Sequence, residues 1–213
     1  MNCTQNHIPK GSKKRPGRAM TPKHLTIHST ANLKSSARDE RSWLTNPGND
    51  SSTGWHIAVD EREAIEAIPL CEMAYHAGDG SGPGNTQSVG LEICESGDRE
   101  KTLENAMQVS AATLKRLGLN ASALRQHHDW SGKNCPRILR DTGRWNEFCE
   151  RVKKEMERQN PDNTPDAYAR TAVEKAVAKG ILRGDDRGNL SLHAPVTRQD
   201  LMVILERCGV LER

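Results

Sequence analysis

With 213 residues, 34% of them hydrophobic and 28% charged, the chain can bury one substantial core and still carry a small second unit. A net charge of +3 favours an anionic polymer surface but lacks the clustered Lys/Arg stripe of dedicated nucleic-acid binding, so no nucleic-acid partner is expected. No window approaches the run of about 18 apolar residues that a membrane span needs, the first residues lack the apolar stretch of a secretory signal, and the scattered cysteines at 3, 71, 94, 135, 149 and 208 suggest no disulfide framework; synthesis in the cytoplasm without membrane insertion is expected.

Residues 1 to about 22 are polar, basic and broken by Pro9, Gly11, Pro16, Gly17 and Pro22, which predicts an irregular N-terminal arm. In HLTIHST, Leu25 and Ile27 alternate with His24, Thr26 and His28, the period of a half-buried strand with His28 at its end. A short helix is predicted around 35–44, stopped at the Pro-Gly pair of TNPGND. GWHIAVDERE reads as a second alternating run, and the glycines and proline between 78 and 84 as a surface loop. In SVGLEICE, Val89, Leu91 and Ile93 share one face and leave Glu92 and Cys94 on the other. Leu103, Met107, Ala111, Leu114 and Leu117 fall at helical spacing before Gly118, and Trp145, Phe148, Cys149, Val152 and Met156 repeat the pattern. The expected fold is α/β, a mixed sheet flanked by helices, over residues 1–158. Residues 159–165 read as a polar, proline-broken linker. Residues 166–213 form a small helical module, with helices over 168–179 and 198–208, closed by Gly180 and Gly209, and with Thr197 and Asp200 spaced as a capping pair.

The segment HHDWSGKNCP, residues 127–136, concentrates reactive side chains in what reads as a loop. A catalytic zinc takes three protein ligands and leaves a fourth position open. His28, a histidine of the pair at 127 and 128, and Cys135 would make a sound set. The spacing of seven residues between His127 and Cys135 is not that of a standard finger, and a lone cysteine before proline is also compatible with simple burial. Spacing does not choose between the two histidines.

IHSTAN, GWHIAVD, YHAGDGSGPGN, SVGLEICE and HHDWSGKNCPRIL, in this order and at these intervals, resemble the zinc-dependent N-acetylmuramoyl-L-alanine amidases of Gram-positive bacteria and their phages, cell-wall lytic enzymes related to the peptidoglycan recognition proteins. The resemblance runs from about Pro16 through Met156. It implies a mixed sheet, a shallow groove, Zn2+ as cofactor and peptidoglycan as substrate. Carried over by position, the metal ligands are His28, His127 and Cys135. Glu92 matches the acid/base, and Lys133 matches a lysine that stabilises charge on the tetrahedral intermediate. Some relatives carry a catalytic tyrosine where Trp55 stands, so Trp55 is expected to pack or to stack on substrate. His76 is expected to hydrogen-bond substrate or oxyanion, or to be structural. His128 is expected to face away from His127, as neighbours do in extended chain, and His24 and His56 to be structural.

AVAKGIL and VTRQDLMVIL in the tail resemble short helical wall-binding modules of phage endolysins, which implies contact with peptidoglycan or anionic wall polymers. The alternative is a helical pair that docks on the catalytic domain or mediates self-association. For the whole chain, the alternatives to a lytic amidase are a non-catalytic peptidoglycan-recognition module, from which retention of Cys135 would distinguish it, and a zinc protein that regulates a partner enzyme. The expected site of action is the cell wall, after holin- or lysis-dependent release.

Overall fold

The computed structural model describes residues 1–158, 165–184, 188–207, 209 and 210. The chain divides into two compact units, Met1–Glu157 and Arg158–Arg213.

The first unit is built on a six-stranded sheet in the order β1-β4-β3-β5-β2-β6. Its strands are β1 (Cys3–Gln5), β2 (His24–Ser29), β3 (Ile57–Val59), β4 (Ala64–Glu66), β5 (Ser88–Ile93) and β6 (Leu124–Gln126). Only β3 and β4 pair antiparallel; the other neighbours are parallel. The predicted alternation holds in β2 and β5. Leu25, Ile27, Val89, Leu91 and Ile93 enter one core with Phe148 and Val152, which lie on helix α6 (Trp145–Arg158). The opposite face of the sheet carries a second core, in which Ala37, Leu44, Trp55, Ala58, Ile65 and Cys94 meet.

Local chemistry sets the ends of the helices. Helix α1 (Ala37–Trp43) starts at a capping box between Ser36 and Asp39, which satisfies two otherwise orphaned amides. The four-residue helix α2 (Pro83–Thr86) has Pro83 at its start, where a missing N–H costs nothing. Helix α3 (Arg99–Arg116) is capped by Asp98. It ends with Gly118 at φ +67° while Leu119 N–H donates to Leu114 O at 2.9 Å, a closing turn that favours glycine for its left-handed backbone. The short helices α4 (His127–Ser131) and α5 (Arg137–Arg140) follow β6.

Three expectations need correction. The N-terminal arm contributes β1, parallel to β4, and buries Ile8 to 1% exposure; a three-residue edge strand is too short to show a period, and its pairing comes from the sheet. The first run is not half-buried, because β2 lies between β5 and β6 and residues 25–29 are all buried; β3, between β4 and β5, is likewise buried over all three of its residues. The first half of the segment after β6, His127–Ser131, is helical rather than loop-like. Asp129 closes a capping box with Gln126, and Gly132 takes the left-handed position at the end of α4.

In the second unit, helix α7 (Arg170–Ala178) and helix α8 (Arg198–Arg207) lie within the predicted helical spans. Thr197 Oγ1 donates to Asp200 Oδ2 at 2.6 Å and accepts from Asp200 N–H at 3.1 Å, so the capping pair is formed. Residues 159–164 of the predicted linker, and Cys208 at the predicted end of the last helix, lie outside the described residues.

A three-donor site beside a buried carboxylate

The parallel register of β2 with β5 sets His28 directly beside Glu92. Both side chains rise from the sheet face opposite α3's core, and His28 Nδ1 lies 3.9 Å from Glu92 Oε1. His127 arrives as the first residue of α4, and Cys135 from the turn before α5. One donor atom from each of His28, His127 and Cys135 falls within 4.8 Å of the others. His28 Nδ1 is 3.0 Å from His127 Nδ1 and 3.8 Å from Cys135 Sγ. All three residues are buried. They open on a cavity of about 1030 Å³, which Glu92, Lys133, Arg137, Glu40 and Trp43 also line.

The remaining ring nitrogens show how this donor set works. His76 Nε2 sits 3.1 Å from Ser88 O, and a carbonyl only accepts, so this nitrogen carries the proton. His76 Nδ1 therefore accepts from His28 Nε2 at 3.0 Å, which leaves the His28 lone pair on Nδ1. His127 bonds the Ala77 backbone carbonyl, and its Nε2 is the ring atom on that side, 3.5 Å from where a Cβ on Gly78 would stand. Two lone pairs thus face each other, with a sulfur alongside. That arrangement repels itself unless a cation sits between the donors, and bonds of about 2.0–2.3 Å from nitrogen and sulfur let atoms this close converge on one zinc ion. The residues fit the metal.

Burial, with His76 and His127 nearby, holds His28 well below the usual histidine range. Burial, then Lys133, brings His127 to about 4. Both imidazoles are therefore neutral and able to ligate at neutral pH. Burial, then Glu92, pushes the Cys135 thiol up to about 12, so a thiolate there requires a cation beside it. The Ser29 N–H donates to Cys135 Sγ at 3.4 Å, a contact ready for negative sulfur.

Glu92 is the perturbed acid of the site. Burial first, then Glu40, raise its carboxyl to about 8, with Lys133 opposing them. Its Oε2 is buried with no hydrogen-bond partner among the described residues, and a buried carboxylate oxygen without a partner is costly unless a substrate group or water completes it. Lys133 is exposed on the turn between α4 and Cys135.

Trp55 is 8% exposed in the second core and lines the cavity at its edge. His128 is half-exposed, and its backbone N–H donates to Cys135 O at 3.0 Å. It diverges from His127 because successive helical residues rotate by about 100°, not because the chain is extended. His76 lines the cavity and is 5% exposed, with its ring nitrogens at hydrogen-bond distance from His28 Nε2 and Ser88 O. His56 is fully buried, accepts from Gly90 N–H at 2.9 Å and donates to Glu72 O at 2.8 Å, a structural arrangement.

Sequence reasoning passed over Glu95 and Arg137. Arg137 donates to both carboxylate oxygens of Glu95, which also accepts from Ala31 N–H at 2.9 Å. This clamp ties the residues after Cys135 to the end of β5 and to the turn after His28. The Arg two residues beyond Cys135 was visible, but its partner 42 residues earlier has no local signature. Glu40 and Trp43, on α1, reach the cavity for the same non-local reason.

Residues 18–138 match the family model described as N-acetylmuramoyl-L-alanine amidase. The N-acetylmuramoyl-L-alanine amidase XlyA of Bacillus subtilis is 41% identical over 152 residues, 70% of this chain and 50% of the relative. The amidase XlyB of the same organism is 43% identical over 143 residues, 65% of this chain and 44% of the relative. The chain thus spans about half the length of these curated relatives. Among solved structures, the catalytic domain of XlyA superposes with a TM-score of 0.67 at 40% identity, covering 71% of this chain and 99% of that domain. PlyL does so with a TM-score of 0.67 at 33% identity, covering 72% and 98%. With the matched region spanning more than half the chain and the whole XlyA catalytic domain superposed on it, the chain belongs to the N-acetylmuramoyl-L-alanine amidase family.

Proposed function

We propose that this chain hydrolyses the amide between N-acetylmuramic acid and L-alanine in bacterial peptidoglycan, as a zinc-dependent lytic amidase of the endolysin or autolysin kind. The observation that carries the reading is the convergence of His28, His127 and Cys135 within 4.8 Å, one strand away from a buried carboxylate with a free oxygen.

His28 and His127 would hold zinc through Nδ1, and Cys135 through Sγ. Zinc, when bound, supplies Lewis acidity toward the scissile carbonyl and lowers the pKa of water to about 7. Glu92 takes a proton from the attacking water and returns it to the departing alanine nitrogen. A carboxyl held near 8 by burial suits both halves of that transfer, since a catalytic pKa near the working pH serves acid and base alike. The Lys133 ammonium, on an exposed turn at the rim of the cavity, offsets the negative charge that develops on the carbonyl oxygen. Trp55 cannot exchange a proton, so the acid/base work rests on Glu92, and the indole forms the edge of the groove. Retention of the thiolate donor and of Glu92 supports catalysis over a recognition-only role.

The second unit serves as the wall-targeting module, with peptidoglycan or an anionic wall polymer as its ligand. The enzyme acts on the cell wall after holin- or lysis-dependent release; among the described residues no helix is long and apolar enough to cross a membrane. The deciding experiment is mass spectrometry of digested peptidoglycan. New L-alanine amino termini with intact glycan strands are expected, whereas cleaved glycan or cleaved cross-bridges would overturn the assignment.

A further inference from the structure

We infer that His76 is a positioning residue that fixes the tautomer of His28, and that Gly90 is the residue that makes room for it. The inference rests on the metal-site reading above and extends it to groups outside the ligand set.

The chain of contacts has one direction. Ser88 O accepts from His76 Nε2 at 3.1 Å, His76 Nδ1 accepts from His28 Nε2 at 3.0 Å, and His28 Nδ1 is left bare at the centre of the site. One backbone carbonyl of β5 thereby decides which nitrogen of a histidine on β2 is free to ligate. The two rings meet edge to face, with centroids 5.0 Å apart and planes at 87°, which sets the His28 N–H against the His76 lone pair. A histidine ligand held by a hydrogen bond at its other nitrogen keeps its ring orientation and gains basicity.

The loop that carries His76 is itself held. The His76 and Ala77 N–H groups both donate to Asn85 Oδ1 at 2.8 Å, and Asn85 Nδ2 donates to Gly80 O at 2.9 Å. Beneath the ring, a Cβ at Gly90 would lie 2.8–2.9 Å from His76 Cγ, Cδ2 and Nδ1. No side chain fits there without displacing the imidazole. Gly90 stands two positions after Ser88 and two before Glu92, so the glycine gap, the acid and the carbonyl that anchors His76 all belong to β5. The glycine of SVGLEICE is explained by this close approach rather than by backbone conformation.

The test uses the full-length chain and two readouts besides activity: zinc affinity, by equilibrium competition with a chromophoric chelator, and the His28 tautomer in metal-free protein, by long-range proton–nitrogen correlation of the imidazoles. Wild type is expected to show the Nε2–H tautomer at His28. His76→Phe, which keeps the ring and loses both nitrogens, is expected to mix the tautomers and to weaken zinc binding about 10- to 100-fold. His76→Gln is expected to recover most of the affinity, because its amide oxygen accepts from His28 while its amide nitrogen donates to Ser88 O. Gly90→Ala, which removes no polar atom, is expected to lose affinity as His76→Phe does. A wild-type His28 protonated on Nδ1, or unchanged zinc affinity in both His76→Phe and Gly90→Ala, would overturn the inference. A wild type with the expected tautomer that takes up no zinc would instead sink the metal site proposed above and leave the relay standing.

Discussion

His28 Nδ1 and His127 Nδ1 approach to 3.0 Å with the second nitrogen of each ring committed to a partner outside the site. Two imidazole lone pairs brought this close from residues 99 positions apart call for a cation. The purified chain is expected to hold about one zinc, measured by metal analysis, and to lose activity with chelator. His127→Ala should abolish that zinc and His128→Ala should retain it; the reverse ranking would mean that the wrong member of the pair has been assigned. Cys135→Ser should weaken binding, since a neutral hydroxyl replaces a thiolate.

Glu92→Gln is expected to keep zinc and fold while lowering turnover at least about a hundredfold, the scale of losing a positioned acid/base. The amide has the same shape and cannot take the proton. Lys133→Ala should lower kcat more than it raises KM, because its partner is a charge that exists only along the reaction path. Near wild-type turnover in Glu92→Gln would assign the proton transfer to another group.

Arg15 grips Glu72 with two bonds of 2.8 Å and also donates to Ile8 O at 2.6 Å, fastening the N-terminal arm. The hydrogen bond from Arg15 holds the Glu72 carboxyl below its ordinary value. A depressed carboxyl contributes stability above its unfolded pKa of about 4.3, and that stability is lost as pH falls through the lower folded value. Arg15→Met is therefore expected to cost about 1 kcal/mol at neutral pH, a Tm drop of about 2–4 °C for a chain of this size. The gap should close as pH falls below 4; thermal melts of both proteins across pH 3–7, with an unchanged gap, would show the loss to be one of packing alone.

Residues 1–157, one compact unit, are expected to fold and to cleave soluble muropeptides alone, while the second unit raises activity on intact walls. A tethered binding module increases the local concentration of groove and polymer without altering the chemistry. Paired assays on soluble fragments and whole sacculi, with wall pull-down of the tail, decide this. Equal loss on both substrates would make the tail part of the catalytic fold, and a tail that ignores walls but joins two chains would make it an association element, for which Leu201, Met202 and Ile204, all exposed on α8, provide the apolar surface.

Periodicity and caps were enough to place β2, β5, α3 and α6, because alternation at Leu25 and Ile27, or a glycine after Leu117, is written in neighbouring residues. The motifs carried the family, and with it the proposed ligands and the proposed acid/base Glu92. Tertiary structure decided what depends on contacts across the chain. The parallel register that seats His28 beside Glu92, the pairing that buries both faces of β3, and the capture of Cys3–Gln5 by β4 are set by sheet assembly, which leaves no local period. The donor nitrogen of His28 is determined by a carbonyl at Ser88 through His76, two steps away and on other elements. A sequence names the side chains, but a tautomer belongs to a hydrogen-bond network, and that network exists only once Gly90 has let the His76 ring settle onto the sheet.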